Sequence, residues 1–246
     1  MSGADQPVLL LTGASRGIGH ATVKRFGVAG WRVLTVSRHA FYPRCPWPGG
    51  EQNHVQLDLA DVDAVRDAVP RIKAVVGGRL DALINNAAIS PKHHDGGKIN
   101  SLEMAYGDWL HIFNVNFFSA ILLAQGFSDA LIQSKGSIVN MTSIVGSRVH
   151  PFASAAYATS KAALASLTRE MASDFGRLGI RVNSIAPGEI DTSILSPGTE
   201  KIVEEQIPMR RLGTPDEVAD VIHFLCEKGA SYVSGAEIQI NGGQHV

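Results

Sequence analysis

Residues 8–12, VLLLT, run directly into Gly13-Ala14-Ser15-Arg16-Gly17-Ile18-Gly19 and then into a helical pattern over 17–29. Four apolar residues and a threonine are too few for a buried helix but suit a strand covered on both faces. The glycines permit a tight turn and a close approach of backbone N–H groups to an anion at the positive end of the following helix. A strand that leaves through such a turn into a helix returns as a parallel neighbour by a right-handed crossover, which excludes most all-helical and all-antiparallel architectures.

The rest of the chain repeats this rhythm. Short β-branched runs predict strands at 8–12, 32–37, 54–57, 80–85, 137–141, 181–186 and 237–240, and helical patterns fall at 17–29, 61–76, 108–134, 155–177 and 215–227. The expected fold is α/β: a doubly wound, Rossmann-type parallel sheet of about seven strands flanked by helices. With 246 residues, 45% of them hydrophobic, one domain spanning 1–246 is expected. Two segments break the pattern. Residues 42–50, with Pro43, Pro46 and Pro48, read as a loop beside the second strand, and residues 187–213 read as a lid carrying a short polar helix at 199–206.

The net charge of −1 and the absence of a basic tail give no reason to expect nucleic acid. No apolar run reaches the length of a membrane span and no signal-like leader is seen, so a cytoplasmic protein is expected. Cys45 and Cys226 read as free thiols. His93, His94 and His150 have no carboxylate or cysteine at ligand spacing, so no metal is expected; they read as lining or gating a substrate entrance.

Charge distribution carries more than its sum. Between Gln6 and Gly50 there is no acidic residue, while Arg16, Lys24, Arg25, Arg32, Arg38 and Arg44 all fall there. In a dinucleotide-binding crossover an acid at the end of the second strand binds the ribose 2′-hydroxyl and repels a 2′-phosphate. Ser37 stands at that point, followed by Arg38, and Arg16 lies within the glycine turn. Two guanidiniums able to grip a dianionic phosphate favour NADP(H) over NAD(H). After the third strand, Asp58 with Leu59 either meets the adenine edge or caps the next helix.

Tyr157 and Lys161 stand four residues apart in AAYATSKAALASLTREMA, and no other tyrosine is followed by a lysine at that spacing. On a helix they share one face. An ammonium close to a phenol lowers its pKa and makes it usable for proton transfer near neutrality.

The glycine turn, Asn85-Asn86-Ala87-Ala88 after the fourth strand, Ser143 after the fifth, Tyr157 with Lys161, and Pro187-Gly188 after the sixth occur in one order across nearly the whole chain. In this the sequence resembles the compact, single-domain branch of the short-chain dehydrogenase/reductase family, and its motifs are similar to those of bacterial 3-oxoacyl-carrier-protein reductases. The resemblance implies Tyr157 as general acid and base, Lys161 as the residue that lowers its pKa and holds the nicotinamide ribose, and Ser143 as the donor to the substrate oxygen. It also implies Asn116 as the helix asparagine holding a water that links the lysine to solvent, with Asn114 structural or interfacial. Asn86, Ala87 and Ala88 would lie along the cofactor, Ala88 replacing the usual glycine. Pro187, Gly188, Ile190 and Thr192 would face the nicotinamide, and Asn241-Gly242-Gly243 stands where the family usually has an aspartate.

The expected reaction is hydride transfer between a nicotinamide and a ketone or secondary alcohol, a 3-oxoacyl group among the candidates. Ile89, Ile144, Val145, Phe152, Ile194 and Leu195 are expected at the substrate end. Lys135 and Arg177 are too few for a basic patch that would receive an acidic carrier protein. Apolar residues on more than one face of 108–134 and 155–177, notably Phe117, Phe118, Ile121, Leu164 and Leu167, together with the resemblance, imply a homotetramer. The alternatives are an NAD(H)-dependent alcohol or sugar dehydrogenase, an isomerase or dehydratase using the cofactor transiently, and a non-catalytic nucleotide-sensing or scaffold protein.

Overall fold

The computed structural model describes residues 6–42 and 49–246. Strands β1 (Val8–Thr12), β2 (Arg32–Ser37), β3 (His54–Gln56), β4 (Ala82–Asn85), β5 (Ser137–Met141), β6 (Arg181–Pro187) and β7 (Glu237–Ile240) form one sheet. Their order is β3-β2-β1-β4-β5-β6-β7, and every pairing is parallel. Beyond β1 the chain first builds outward to β3, then returns to place β4 on the other side of β1. The carboxyl ends of β1 and β4 are therefore the point where strand order reverses and a crevice opens.

Both faces of the sheet are covered, which is why the central strand β1 is apolar on both faces rather than alternating. Leu9 and Leu11 of β1 join the core under α1 (Gly17–Val28) and α8 (Pro215–Cys226), with Phe26, Ile222 and Leu225. Leu10 joins the opposite core under α2 (Val62–Val76), α4 (Ser119–Gly126) and α6 (Ala155–Gly176), with Ile72, Leu123 and Met171. Leu10 is fully buried, so truncation to alanine there costs about 2–5 kcal/mol.

The single helix expected over 108–134 is broken. It comprises α3 (Tyr106–Phe113), a π-helical turn (Asn114–Phe118), α4 and α5 (Ser128–Ser134). The last break, at Phe127, bends the axis by 61°. Phe127 is fully buried there, and Gly126 lies so close to Val69 of α2 that an added Cβ would come within 2.7 Å of it. Packing rather than propensity ends α4. Among the described residues no single helix is long and apolar enough to cross a membrane; this bent pair passes only as a combination.

The lid expected at 187–213 is tied at its base. Ile190 and Gly213 form a parallel bridge, with Gly213 N–H donating to the Glu189 carbonyl at 2.9 Å and Asp191 N–H donating to the Gly213 carbonyl at 2.8 Å. Its one helix, α7 (Thr199–Gln206), coincides with the expected one. Of the loop expected at 42–50, residues 43–48, including Arg44 and Cys45, lie outside the described residues, and Gly50–Asn53 is a 3-10 turn.

Candidate active site

A cavity of about 660 Å³ opens at the carboxyl ends of the strands, within the range of cofactor and substrate sites. One end is built on the glycine turn. Gly13 takes φ +73°, and a Cβ there would sit 2.7 Å from the Ala87 Cα. At Gly19 a Cβ would lie 2.0 Å from the Gly13 carbonyl oxygen. Only glycine fits this approach between β1, β4 and α1. Asn86 locks it, donating from Nδ2 to the carbonyls of Thr12 at 3.0 Å and Gly13 at 2.9 Å. Helix α1 has neither a side-chain cap nor an acidic residue in its first turn, so its leading N–H groups are available to an anion. These features fit a dinucleotide pyrophosphate.

Ser15, Arg16, Gly17 and Ile18 line this end with Ser37 and Arg38 from the end of β2. Two other basic residues of the acid-free stretch serve elsewhere: Arg25 pairs with Asp220 at 2.6 Å, and Arg32 donates to Asn53 at 3.3 Å. Asp58 and Leu59 also line the cavity. The cap of α2 is Asp61, which accepts from Ala64 N–H at 2.9 Å, so the capping alternative for Asp58 falls away.

At the other end Tyr157, Lys161, Ser143, Ala87, Ala88, Pro187, Gly188, Ile190 and Thr192 share the same cavity. Tyr157 sits in the first turn of α6, where Ser154 caps its N–H at 3.4 Å. Ser143 Oγ accepts from Val145 N–H at 3.4 Å, and its hydroxyl stands within hydrogen-bonding reach of the Tyr157 phenol at the cavity. Lys161 is 2% exposed, and its Nζ donates to the Met141 carbonyl at 2.5 Å and lies 5.7 Å from the Tyr157 ring centroid.

Lys161 is not among the groups that shift the Tyr157 phenol. Burial pushes the phenol up, the Ser143 hydroxyl beside it pulls it down, and the Glu189 carboxylate pushes it up again. Tyr157 is part-buried and opens on the cavity. Burial also lowers Lys161 to about 7, so it gains and loses its proton near neutral pH.

Asn116 does not line the cavity. It is 2% exposed on the π-helical turn, where it accepts from Ile89 N–H at 2.9 Å and donates to the Ile89 carbonyl at 3.0 Å and to Ser160 Oγ at 3.1 Å. Ser160 Oγ donates to the Tyr157 carbonyl at 2.7 Å. Asn116 thus braces the loop after β4 against the start of α6. Asn114 is structural, donating to the Ala60 carbonyl at 2.9 Å.

Ile89, Ile144, Val145, Phe152, Ile194 and Leu195 all line the substrate end. Of the three histidines only His150 does; His93 is half exposed and faces Glu103 at 3.3 Å, and His94 is exposed on the loop after β4. Sequence reasoning missed Lys92 and Glu189. The signal was present in Pro187-Gly188-Glu189, where a carboxylate follows the glycine, but nothing in sequence shows that it turns inward. Lys135 and Arg177 precede β5 and β6 and so lie at the amino ends of those strands, away from the cavity. Leu164 is 1% exposed and faces the core, whereas Phe118 is 41% exposed. Among the described residues no group of three His, Cys, Asp or Glu side chains converges as a metal site.

A family model described as enoyl-(acyl carrier protein) reductase matches residues 13–245. The chain is 57% identical over 244 residues to protein FixR of Bradyrhizobium diazoefficiens, an alignment covering 98% of this chain and 88% of that protein. It is 32% identical over 246 residues to the 3-oxoacyl-[acyl-carrier-protein] reductase FabG of Aquifex aeolicus, covering 96% of each.

The chain belongs to the short-chain dehydrogenase/reductase family.

Short-chain dehydrogenases/reductases are oxidoreductases that act on hydroxyl and keto groups with a nicotinamide cofactor. Among solved members, a short-chain dehydrogenase/reductase family oxidoreductase from Brucella ovis, in complex with a partially ordered NAD, is 51% identical with a TM-score of 0.83, covering 96% of this chain and all (100%) of that one. The family's parallel α/β sheet is the fold observed here.

Proposed function

We propose that this oxidoreductase interconverts a ketone and a secondary alcohol, with NADP(H) preferred over NAD(H) and Tyr157 as general acid and base. The observation that carries the reading is the convergence of the Tyr157 phenol, the Ser143 hydroxyl and the buried Lys161 on the cavity that begins at the glycine turn. A nicotinamide bound there supplies or accepts the hydride. Ser143 orients the substrate oxygen by donating its O–H and stabilises negative charge as it develops on that oxygen.

Tyr157 gives that oxygen a proton. Because its pKa is raised, the phenol is protonated at neutral pH, the state required of a donor in the reductive direction. Lys161, with a pKa of about 7, can return a proton to the phenolate and stabilise it meanwhile. Asn116 positions rather than reacts, through Ile89 and Ser160. In the oxidative direction the same groups run in reverse.

Arg16 and Arg38 support the NADP(H) preference, since Ser37 stands where an acid would turn a 2′-phosphate away. The relative from Brucella ovis holds NAD, so the two dinucleotides need direct comparison. The protein works as a single catalytic domain on a small-molecule substrate in the cytoplasm, without nucleic-acid, membrane or metal partners. A homotetramer is supported by the exposed apolar row Tyr106, Leu110 and Phe118 along α3 and the π-helical turn.

Titration with NADPH and NADH, followed by a ketone panel monitored by dihydronicotinamide absorbance, tests this reading. NADPH should bind more tightly and be oxidised by at least one ketone. Tighter NADH binding would overturn the cofactor assignment, and binding without turnover of any ketone or alcohol would overturn the reaction.

A further inference from the structure

The substrate end of the cavity holds a carboxylate that neither hydride transfer nor the Tyr157 proton transfer uses. Glu189 is 8% exposed in the turn after β6, and its Oε1 lies 2.9 Å from His150 Nε2. Both side chains line the cavity with Tyr157 and Ser143. His150 Nδ1 accepts the Phe152 N–H at 3.2 Å, which assigns the imidazole hydrogen to Nε2. A neutral His150 therefore donates to Glu189 and holds it without cancelling its charge.

Lys92 does not close on this carboxylate. Its Nζ donates to the Ile194 carbonyl and to Ser196 Oγ, each at 2.6 Å, and so ties the loop after β4 to the lid. An ionised carboxylate offers about four acceptor positions, and the His150 bond uses one of them. Burying a carboxylate is costly unless its acceptors are met. Glu189 is near enough to the reacting end for its charge to raise the Tyr157 phenol.

Accepting the carbonyl-reductase reading above, we infer that Glu189, fixed by His150, is a recognition carboxylate that accepts a hydrogen bond from a hydroxyl or ammonium group carried near the reacting carbonyl. The substrate is then a hydroxyketone, an aminoketone or the corresponding alcohol. Its carbon chain lies on Ile144, Val145 and Phe152, and a carboxylate or phosphate at the recognised position is repelled.

Matched ketones test this. For the full-length protein with saturating NADPH, kcat/KM should favour 3-hydroxy-2-butanone or 4-hydroxy-2-butanone over 2-butanone by about 10- to 100-fold, the range for a hydrogen bond to a charged group. The ratio should collapse toward one in Glu189→Met and fall in Glu189→Gln, which preserves shape and an acceptor for His150 but removes the charge. A purely structural role would lower kcat/KM for every ketone alike and leave the ratio unchanged. A ratio near one in the parent protein, or a ratio unchanged in both variants, overturns the inference while leaving the reductase reading intact. If no ketone is reduced, the reductase reading fails, and the carboxylate is judged by binding alone. In that case 2,3-butanediol should raise the Tm of the cofactor-saturated protein more than 2-butanol, with the difference lost in Glu189→Met; equal shifts overturn the inference.

Discussion

Lys161 donates its Nζ to the Met141 carbonyl at 2.5 Å, at a site only 2% exposed. That contact joins the end of β5 to the second turn of α6. It also leaves an amine in a place that penalises its charged form, with consequences for stability and for chemistry.

With a folded pKa of about 7, against 10.5 for the free side chain, Lys161 is deprotonated in the folded protein over a range where the unfolded chain keeps the proton. The unfolded state then binds more protons, so stability rises with pH through this window. Cofactor-free protein should show a Tm that increases from pH 7.0 to 8.5, and Lys161→Met should flatten the increase. The window stays below the range where the raised pKa values of Tyr157 and of Cys226, pushed to about 12, act in the opposite sense. A slope identical in the parent protein and Lys161→Met, measured by differential scanning calorimetry, would refute this.

Tyr157→Phe removes one hydroxyl from the cavity and leaves the α6 cap on Ser154 untouched. Turnover should fall by at least about 10²–10⁴-fold, the usual contribution of a positioned acid, while dinucleotide affinity changes little. Steady-state kinetics beside fluorescence titration separates the two effects, and near-normal turnover would remove Tyr157 from the mechanism.

Arg16 and Arg38 reach the cavity from two elements, the glycine turn and the end of β2. Replacing both with alanine should weaken NADPH binding by about 10-fold or more, since charge-assisted hydrogen bonds contribute about 1.5–3 kcal/mol, and should change NADH binding much less. Isothermal titration calorimetry with both dinucleotides is decisive; equal losses would mean that the arginines do not read the 2′-phosphate.

Asn116→Ala strips the partners from both the N–H and the carbonyl of Ile89. Unsatisfied buried groups cost about 1–3 kcal/mol each, so the variant should unfold at lower denaturant concentration and show a lower kcat through displacement of Ile89 and α6. Unchanged stability would show that other contacts hold Ile89.

Much of the site was legible because it consists of residue types at fixed spacings on predictable elements. The turn over 12–19 needed only an apolar run followed by glycines, and Tyr157 with Lys161 needed only a helix. The break in the helix expected at 108–134 was not legible, because Gly126 and Phe127 have ordinary helical neighbours and only their fit against Val69 and the core bends the chain. Spacing placed the lysine near the phenol, but the direction in which each group shifts follows first from burial, which depends on everything packed around them.

The sequence alone determined the parallel sheet, the crevice at its carboxyl edge and the chemical types gathered there, because periodicity and glycine placement are local properties of the chain. Tertiary structure decided which charges face the cavity. Arg25 and Arg32 turn away to Asp220 and Asn53, while Glu189 turns inward onto His150, 39 residues distant in sequence. Whether a charged side chain serves the surface or the site depends on the partner that compensates its burial, and in a wound sheet that partner comes from a different strand and loop.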